Sequence, residues 1–283
     1  MSENQVVVKK QSEITDQVFN KVQQLQDAGS LVLPKTYVAG NALKSAQLIL
    51  AETKDKNGKF ALEVCTKESV ANCLLDMVKM GLEPSKKQCY FVPYGDKLQL
   101  MTSYFGKLAI AKRVGGVEDV KAFVIYEGDE FEMEFNLDDL TMQLKTYKPN
   151  PKNVDLSKIT GAFAIPIFKD GTRGDLVYMS IEQIKNSWGM GSSYQYGKSK
   201  AHNNFTDEMC KKTIITRVCK TLINSSDDGD LVDTYGATDE EVPVQQEQKE
   251  MTASKEFVDV PFTEEEHASE TVVKEVVPNE CPI

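Results

Sequence analysis

The side chains best suited to chemistry in this sequence are cations set among flat rings. Residues 86–113 hold six Lys/Arg (Lys86, Lys87, Lys97, Lys107, Lys112, Arg113) against Asp96 alone. Residues 185–220 hold seven (Lys185, Lys198, Lys200, Lys211, Lys212, Arg217, Lys220) against Asp207 and Glu208. Aromatics interleave with both groups: Tyr90, Phe91, Tyr94, Tyr104 and Phe105 in the first, Trp188, Tyr194, Tyr196 and Phe205 in the second. Cations neutralise phosphates and rings support unstacked bases, so the mixture suits single-stranded nucleic acid. The bland reading is a solvated Lys-rich helix face beside core aromatics, and composition alone does not separate the two.

Net charge at first argues against a polyanion partner, because the 283 residues sum to −10. Residues 227–283, however, hold seventeen Asp/Glu and three Lys, a local −14, which leaves +4 on residues 1–226. The tail is also poor in large apolar residues and reads as disordered. Three regions follow: an arm at 1–33 with an amphipathic helix, a core at 34–226, and a disordered acidic tail at 227–283.

Other chemistries lack their residues. There is no GxxxxGK[ST] phosphate loop. Gly189-Met190-Gly191 has neither the preceding strand nor the third glycine of a dinucleotide fingerprint. Asp227-Asp228-Gly229-Asp230 opens like a calcium loop, but the position for a bidentate Glu holds Thr238 or Asp239. Glu130, Glu132 and Glu134 alternate with Phe131, Met133 and Phe135, which is half-buried strand patterning rather than a metal cluster. Glu52-Thr53-Lys54 is an isolated E-x-K with no partnered Asp for a nuclease. His202 and His267 are the two histidines. Six cysteines without CxxC pairing suggest buried, reduced thiols in a cytosolic chain. No apolar run is long enough for a membrane span, and the first thirteen residues lack a signal-peptide core.

The elements that must position the cationic blocks can be read from period and caps. Ile14, Val18, Val22 and Leu25 predict a helix at 13–28, whose uncovered face we expect to dock on a neighbouring subunit. Helices follow at 39–52 and 67–80, the latter closed by Gly81. The period then changes to two: strands at 88–94 and 97–102 form a hairpin around Gly95-Asp96. A helix capped by Thr102 or Ser103 runs to about 113. Strands at 117–126 and 130–136 are joined at Glu127-Gly128-Asp129, and 145–158 reads as a loop. A hairpin at 159–168 and 175–179, a short helix from Ser180 to Trp188, a loop at 189–204 and a helix at 206–223 complete an α+β pattern.

At Gly81-Leu82-Glu83-Pro84, Gln88, Tyr90, Pro93-Tyr94-Gly95, Leu100, Tyr104, Gly106 and Lys112-Arg113 the sequence resembles the RecT family of phage single-strand annealing recombinases. Tyr126 to Asp129 with Phe131, Gly161-Ala162, Ser199-Lys200-Ala201, Glu208-Met209, Lys211-Lys212-Thr213 and Arg217 continue in the family's order, across about residues 35–226. His202 departs from the pattern, where an aromatic is expected.

The resemblance implies helices packed on a small antiparallel sheet with β-hairpins, distantly similar to the Rad52-type annealing fold. It implies an ATP-independent, cofactor-free protein of the bacterial host cytoplasm. Such a protein coats single-stranded DNA as a ring or helical filament and pairs it with a complement through an annealed duplex intermediate. A phage exonuclease and the host single-strand-binding protein are the implied partners. By family analogy, Lys107, Lys112, Arg113, Lys200, Lys211, Lys212 and Arg217 contact phosphate, and Tyr94, Tyr104 and Trp188 contact bases. A passive single-strand coat and a metal-dependent nuclease are the competing readings.

Overall fold

The computed structural model describes residues 3–190 and 199–227, with side chains from residue 13 onward. Tyr194, Tyr196, Lys198 and the acidic tail beyond 227 lie outside the described residues.

The first half is helical. α1 (Glu3–Asp27), α2 (Ala39–Glu52), α3 (Ala61–Val64) and α4 (Lys67–Lys79) precede the first strands. Ile14, Val18 and Val22 of α1 are buried against α2 and α4 of the same chain. This corrects the expected uncovered face: Leu43, Ala46 and Leu50 of α2, with Val70, Leu74 and Met77 of α4, supply the apolar cover that local sequence did not reveal. At the start of α4 the Thr66 hydroxyl accepts the Ser69 N–H at 3.2 Å. At its end Gly81 adopts φ +58°, and the amides of Gly81 and Leu82 donate to the carbonyls of Val78 and Met77. That closure satisfies the last carbonyls and buries Leu82 with Met77.

β1 (Cys89–Tyr94) and β2 (Lys97–Thr102) form the expected two-stranded hairpin, with Tyr94 opposite Lys97. Ser103 accepts the Gly106 N–H and starts α5 (Tyr104–Val114). Gly106 is required by close packing, because a Cβ there would run into the Gln88 carbonyl oxygen.

The second half is built on an antiparallel sheet of β3 (Val117–Tyr126), β6 (Ile159–Phe168) and β7 (Val177–Ser180), in the order β3-β6-β7. β4 (Glu130–Asn136) does not pair with β3. It pairs with β5 (Thr141–Lys148), a strand that falls partly in the stretch read as a loop. The two faces of the main sheet differ in side-chain size. Ala162 and Ala164 of β6 lie opposite Val124 and Ala122 of β3, and these small residues let α8 (Thr206–Asn224) lie close on that face. The other face carries Ile125, Phe163 and Ile165, against which Phe131, Leu144 and Tyr147 of the β4–β5 hairpin pack. α6 (Ile181–Gly189), with a full capping box from Ser180 and Gln183, and the short α7 (Lys200–Asn204) complete the described chain. The described structure is α+β: helices and small antiparallel sheets.

Candidate nucleic-acid interface

α8 is the element that organises the cationic residues. Ile214, Val218 and Cys219 turn inward toward α5 and the sheet, leaving Lys212 and Arg217 exposed. Burial pushes the Cys219 thiol up to about 12, although the charges of Lys107 and Lys112 pull it partly back. The five described cysteines are buried and free, so they form an inert interior rather than a reactive site.

α6 reaches α8 through Ile184 and Trp188, one turn apart. The Trp188 indole N–H donates to Thr213 Oγ1 at 2.7 Å, and the Thr213 hydroxyl donates to the Met209 carbonyl at 2.8 Å. Beside this pin lies a cleft of about 300 Å³, lined by Met179, Ser187, Thr213, Arg217, Lys220 and Thr221. Two cations at one cleft suit a phosphate oxygen, since the Arg fork and the ammonium complement its lone pairs. The Thr213 and Thr221 hydroxyls already donate to the Met209 and Arg217 carbonyls and serve as polar lining.

A second patch lies where β1 meets the start of α5. Cys89 and Phe91 face the core, so alternation places Tyr90 and Tyr94 outward, each about half exposed. Tyr104 and Phe105 stand side by side, ring centroids 4.0 Å apart and tilted by 32°. Burial raises the Tyr104 phenol, and the nearby Glu208 carboxylate and Tyr90 raise it further. Tyr104 thus senses the charge of Glu208 in the first turn of α8. Tyr90 and Phe105, which family analogy does not single out, join Tyr94 and Tyr104 in this patch as outward rings, and strand alternation is the signal that places Tyr90 outward.

The cationic residues divide by environment. Lys200 and Lys212 are exposed. The Lys212 charge, second to burial, holds His202 below its ordinary value. Lys211 pairs with Glu208 at 2.8 Å and Lys112 with Asp119 at 3.6 Å. Both pairs are partly solvated and exchangeable for phosphate at small cost. Three side chains turn inward. Lys107 is 6% exposed. Arg113 Nη2 donates to the Met80 carbonyl at 2.7 Å, capping α4 with a positive charge where its dipole is negative. Trp188 is 7% exposed, with His202 edge-on to its ring at 4.7 Å, so it has no open face for a base. The His202 ring in turn shares a hydrogen bond with Ser199 Oγ, 2.6 Å away.

Among the described residues no group of three His, Cys, Asp or Glu is arranged to hold a metal ion. No helix among them is long and apolar enough to cross a membrane. Fold and site together define an α+β protein with a cationic, hydroxyl-lined cleft and a separate patch of exposed aromatic rings. A family model for the RecT family matches residues 40–254, and the chain belongs to that family. It is similar to Protein RecT of Escherichia coli (strain K12), 30% identical over 172 residues, which is 57% of this chain and 60% of that protein's length.

Proposed function

We propose that this chain is an ATP-independent single-strand annealing protein of phage recombination. It coats single-stranded DNA as an oligomer in the host cytoplasm and pairs it with a complementary strand, beside a phage exonuclease and the host single-strand-binding protein. The observation that carries this reading is the α6–α8 cleft, where Arg217 and Lys220 stand among the hydroxyls of Ser187, Thr213 and Thr221. Family membership supports the same reading.

The physical logic is that a sequence-neutral annealer holds the backbone and leaves base edges free. Phosphates go to Arg217 and Lys220, with Lys200, Lys211, Lys212 and Lys112 widening the positive field. Base faces rest on Tyr90, Tyr94, Tyr104 and Phe105. Lys107, Arg113 and Trp188 act indirectly, by holding α5, α4 and α6 in place. No hydrolysis is needed, because each stacked base-pair step supplies roughly 1.4 kcal/mol. The chain then has no reaction to catalyse beyond bringing strands together.

The test is a fluorescence annealing assay with complementary oligonucleotides, without nucleotide or divalent metal. Faster pairing than in buffer supports the annealer. Binding without acceleration identifies a passive coat, and strand loss on adding magnesium identifies a nuclease.

A further inference from the structure

Two exposed apolar surfaces of this chain carry opposite charge. The first is the tip of the β4–β5 hairpin. Phe135 is half exposed, Leu137 is 78% exposed and Leu140 is 70% exposed, with Glu134, Asp138 and Asp139 around them. Nearer the sheet, Lys148 and Lys145 pair with Glu130 and Glu132 at 3.0 and 3.1 Å. No such pair is formed by Glu134, Asp138 or Asp139 among the described residues. The tip is held in shape from within: Asn136 Oδ1 accepts the Asp138 N–H, and Asp139 Oδ1 accepts both the N–H and the hydroxyl of Thr141. Leu140 has φ +57°, a left-handed conformation that disfavours any side chain. Folding alone would favour glycine or asparagine there, and a strained, exposed leucine points to a use for its side chain.

The second surface is the outer stripe of α2. Leu48 and its neighbour Ile49 are 67% and 38% exposed toward the C-terminal end, and Val38, at the N-cap, is 57% exposed at the other end. Its charges are mainly basic: Lys44 on the helix, and Lys54, Lys56 and Lys59 in the following turn, all exposed. Glu52 opposes them, while Asp55 is engaged by the amides of Asn57 and Lys59 at 2.8 Å.

We propose that these two surfaces bind each other between copies of this chain, the acidic hairpin tip of one seated on the basic α2 stripe of the next. Both sides are apolar and their charges are complementary. The preformed tip loses little conformational entropy on docking. Because the two surfaces differ, the contact is head-to-tail, and each added copy leaves one tip and one stripe available. The repeat therefore propagates into a ring or an open filament. This deepens the proposed self-assembly by naming its surfaces. The test reads mass in the absence of DNA, so it can fail while strand annealing stands.

The experiment uses two full-length double variants. Leu137→Ser with Asp138→Lys disables the tip, and Lys44→Glu with Leu48→Gln disables the stripe. In sedimentation velocity at low salt the natural chain forms species larger than two copies. Each variant alone stays at the monomer mass of 31.6 kDa. Their equimolar mixture forms particles of twice that mass and no larger, because one intact tip meets one intact stripe and growth stops. Assembly by either variant alone, or a mixture that remains monomeric while circular dichroism shows both folded, overturns the proposal. Leu140→Gly provides a check free of misfolding. Glycine relieves the left-handed strain, so its melting temperature holds or rises while self-association weakens at least tenfold. Unchanged association in that variant also overturns the proposal.

Discussion

Arg113→Ala separates a structural arginine from a phosphate-binding one. The Arg113 guanidinium donates to the Met80 carbonyl at 2.7 Å, at the C-terminal end of α4. A hydrogen bond to a charged group contributes about 1.5–3 kcal/mol. A cation at a helix C-terminus adds roughly 0.3–1 kcal/mol. Removing both costs about 2–4 kcal/mol. For a folded unit of roughly 200 residues each kcal/mol lowers the melting temperature by about 2–4 °C, so a loss of roughly 4–16 °C is expected. Arg113→Lys falls between, since an ammonium keeps the charge and loses the planar fork. At 15 °C, where the variant is folded, binding to single-stranded DNA keeps its full dependence on salt. Arg217→Ala behaves in the opposite way. Its exposed side chain leaves the melting temperature within about 1–2 °C, as surface changes usually do. The slope of log affinity against log salt falls by about 0.7 for the one lost phosphate contact. Thermal melts and fluorescence-anisotropy titrations at four salt concentrations measure both quantities. A variant at 113 that melts like the natural chain while its salt slope falls would refute the assignment of that arginine to the α4 cap.

Gly106→Ala forces α5 away from the Gln88 carbonyl and lowers stability by about 1–3 kcal/mol, read by urea denaturation. Trp188→Phe keeps a ring against His202 but removes the bond to Thr213 Oγ1, which costs about 1 kcal/mol. His202 has its folded value lowered by burial and by Lys212, so the folded state binds fewer protons than the unfolded state. Stability therefore falls as pH drops from about 6.5 through that lowered value. His202→Phe should flatten the change in melting temperature between pH 7 and pH 5, and an equally steep change in that variant would remove His202 as its source.

Local chemistry was readable wherever a cap or a turn decided the structure. Thr66, Ser103 and Ser180 cap the helices they precede, Gly81 closes α4, and Gly95 turns the β1–β2 hairpin. Partners distant in sequence were not readable. Glu127-Gly128-Asp129 reads as the turn of a β3–β4 hairpin, yet β3 pairs with β6, whose Phe163 matches Phe123. β5 was hidden by a bulge. Glu132 lies opposite Thr146 and Met133 opposite Leu144, so Lys145 is the extra residue. Its insertion lets Leu144 and Tyr147 pack against the same core while breaking the two-residue period that marks a strand. In the interface, sequence found the cations but not their environments. Nothing in the local pattern around Arg113 distinguishes a guanidinium turned toward Met80 from one turned toward solvent. The hydroxyls of Ser187, Thr213 and Thr221 carry no compositional signal and become a cleft only when α6 meets α8.

The position of the β4–β5 hairpin between two strands that pair with each other also bears on how fast the chain folds. Tyr126 must find Ile159 across an intervening segment of 32 residues. Closing a loop costs free energy that grows as about 1.5RT times the logarithm of its length. If β4 and β5 zip first, on the microsecond scale of isolated hairpins, the segment is short-circuited to roughly 14 effective residues. The barrier to the central pairing then drops by about 0.7 kcal/mol, or roughly threefold in rate. Slowing the hairpin's own closure should therefore delay the β3–β6 sheet, although neither β4 nor β5 is a strand of that sheet.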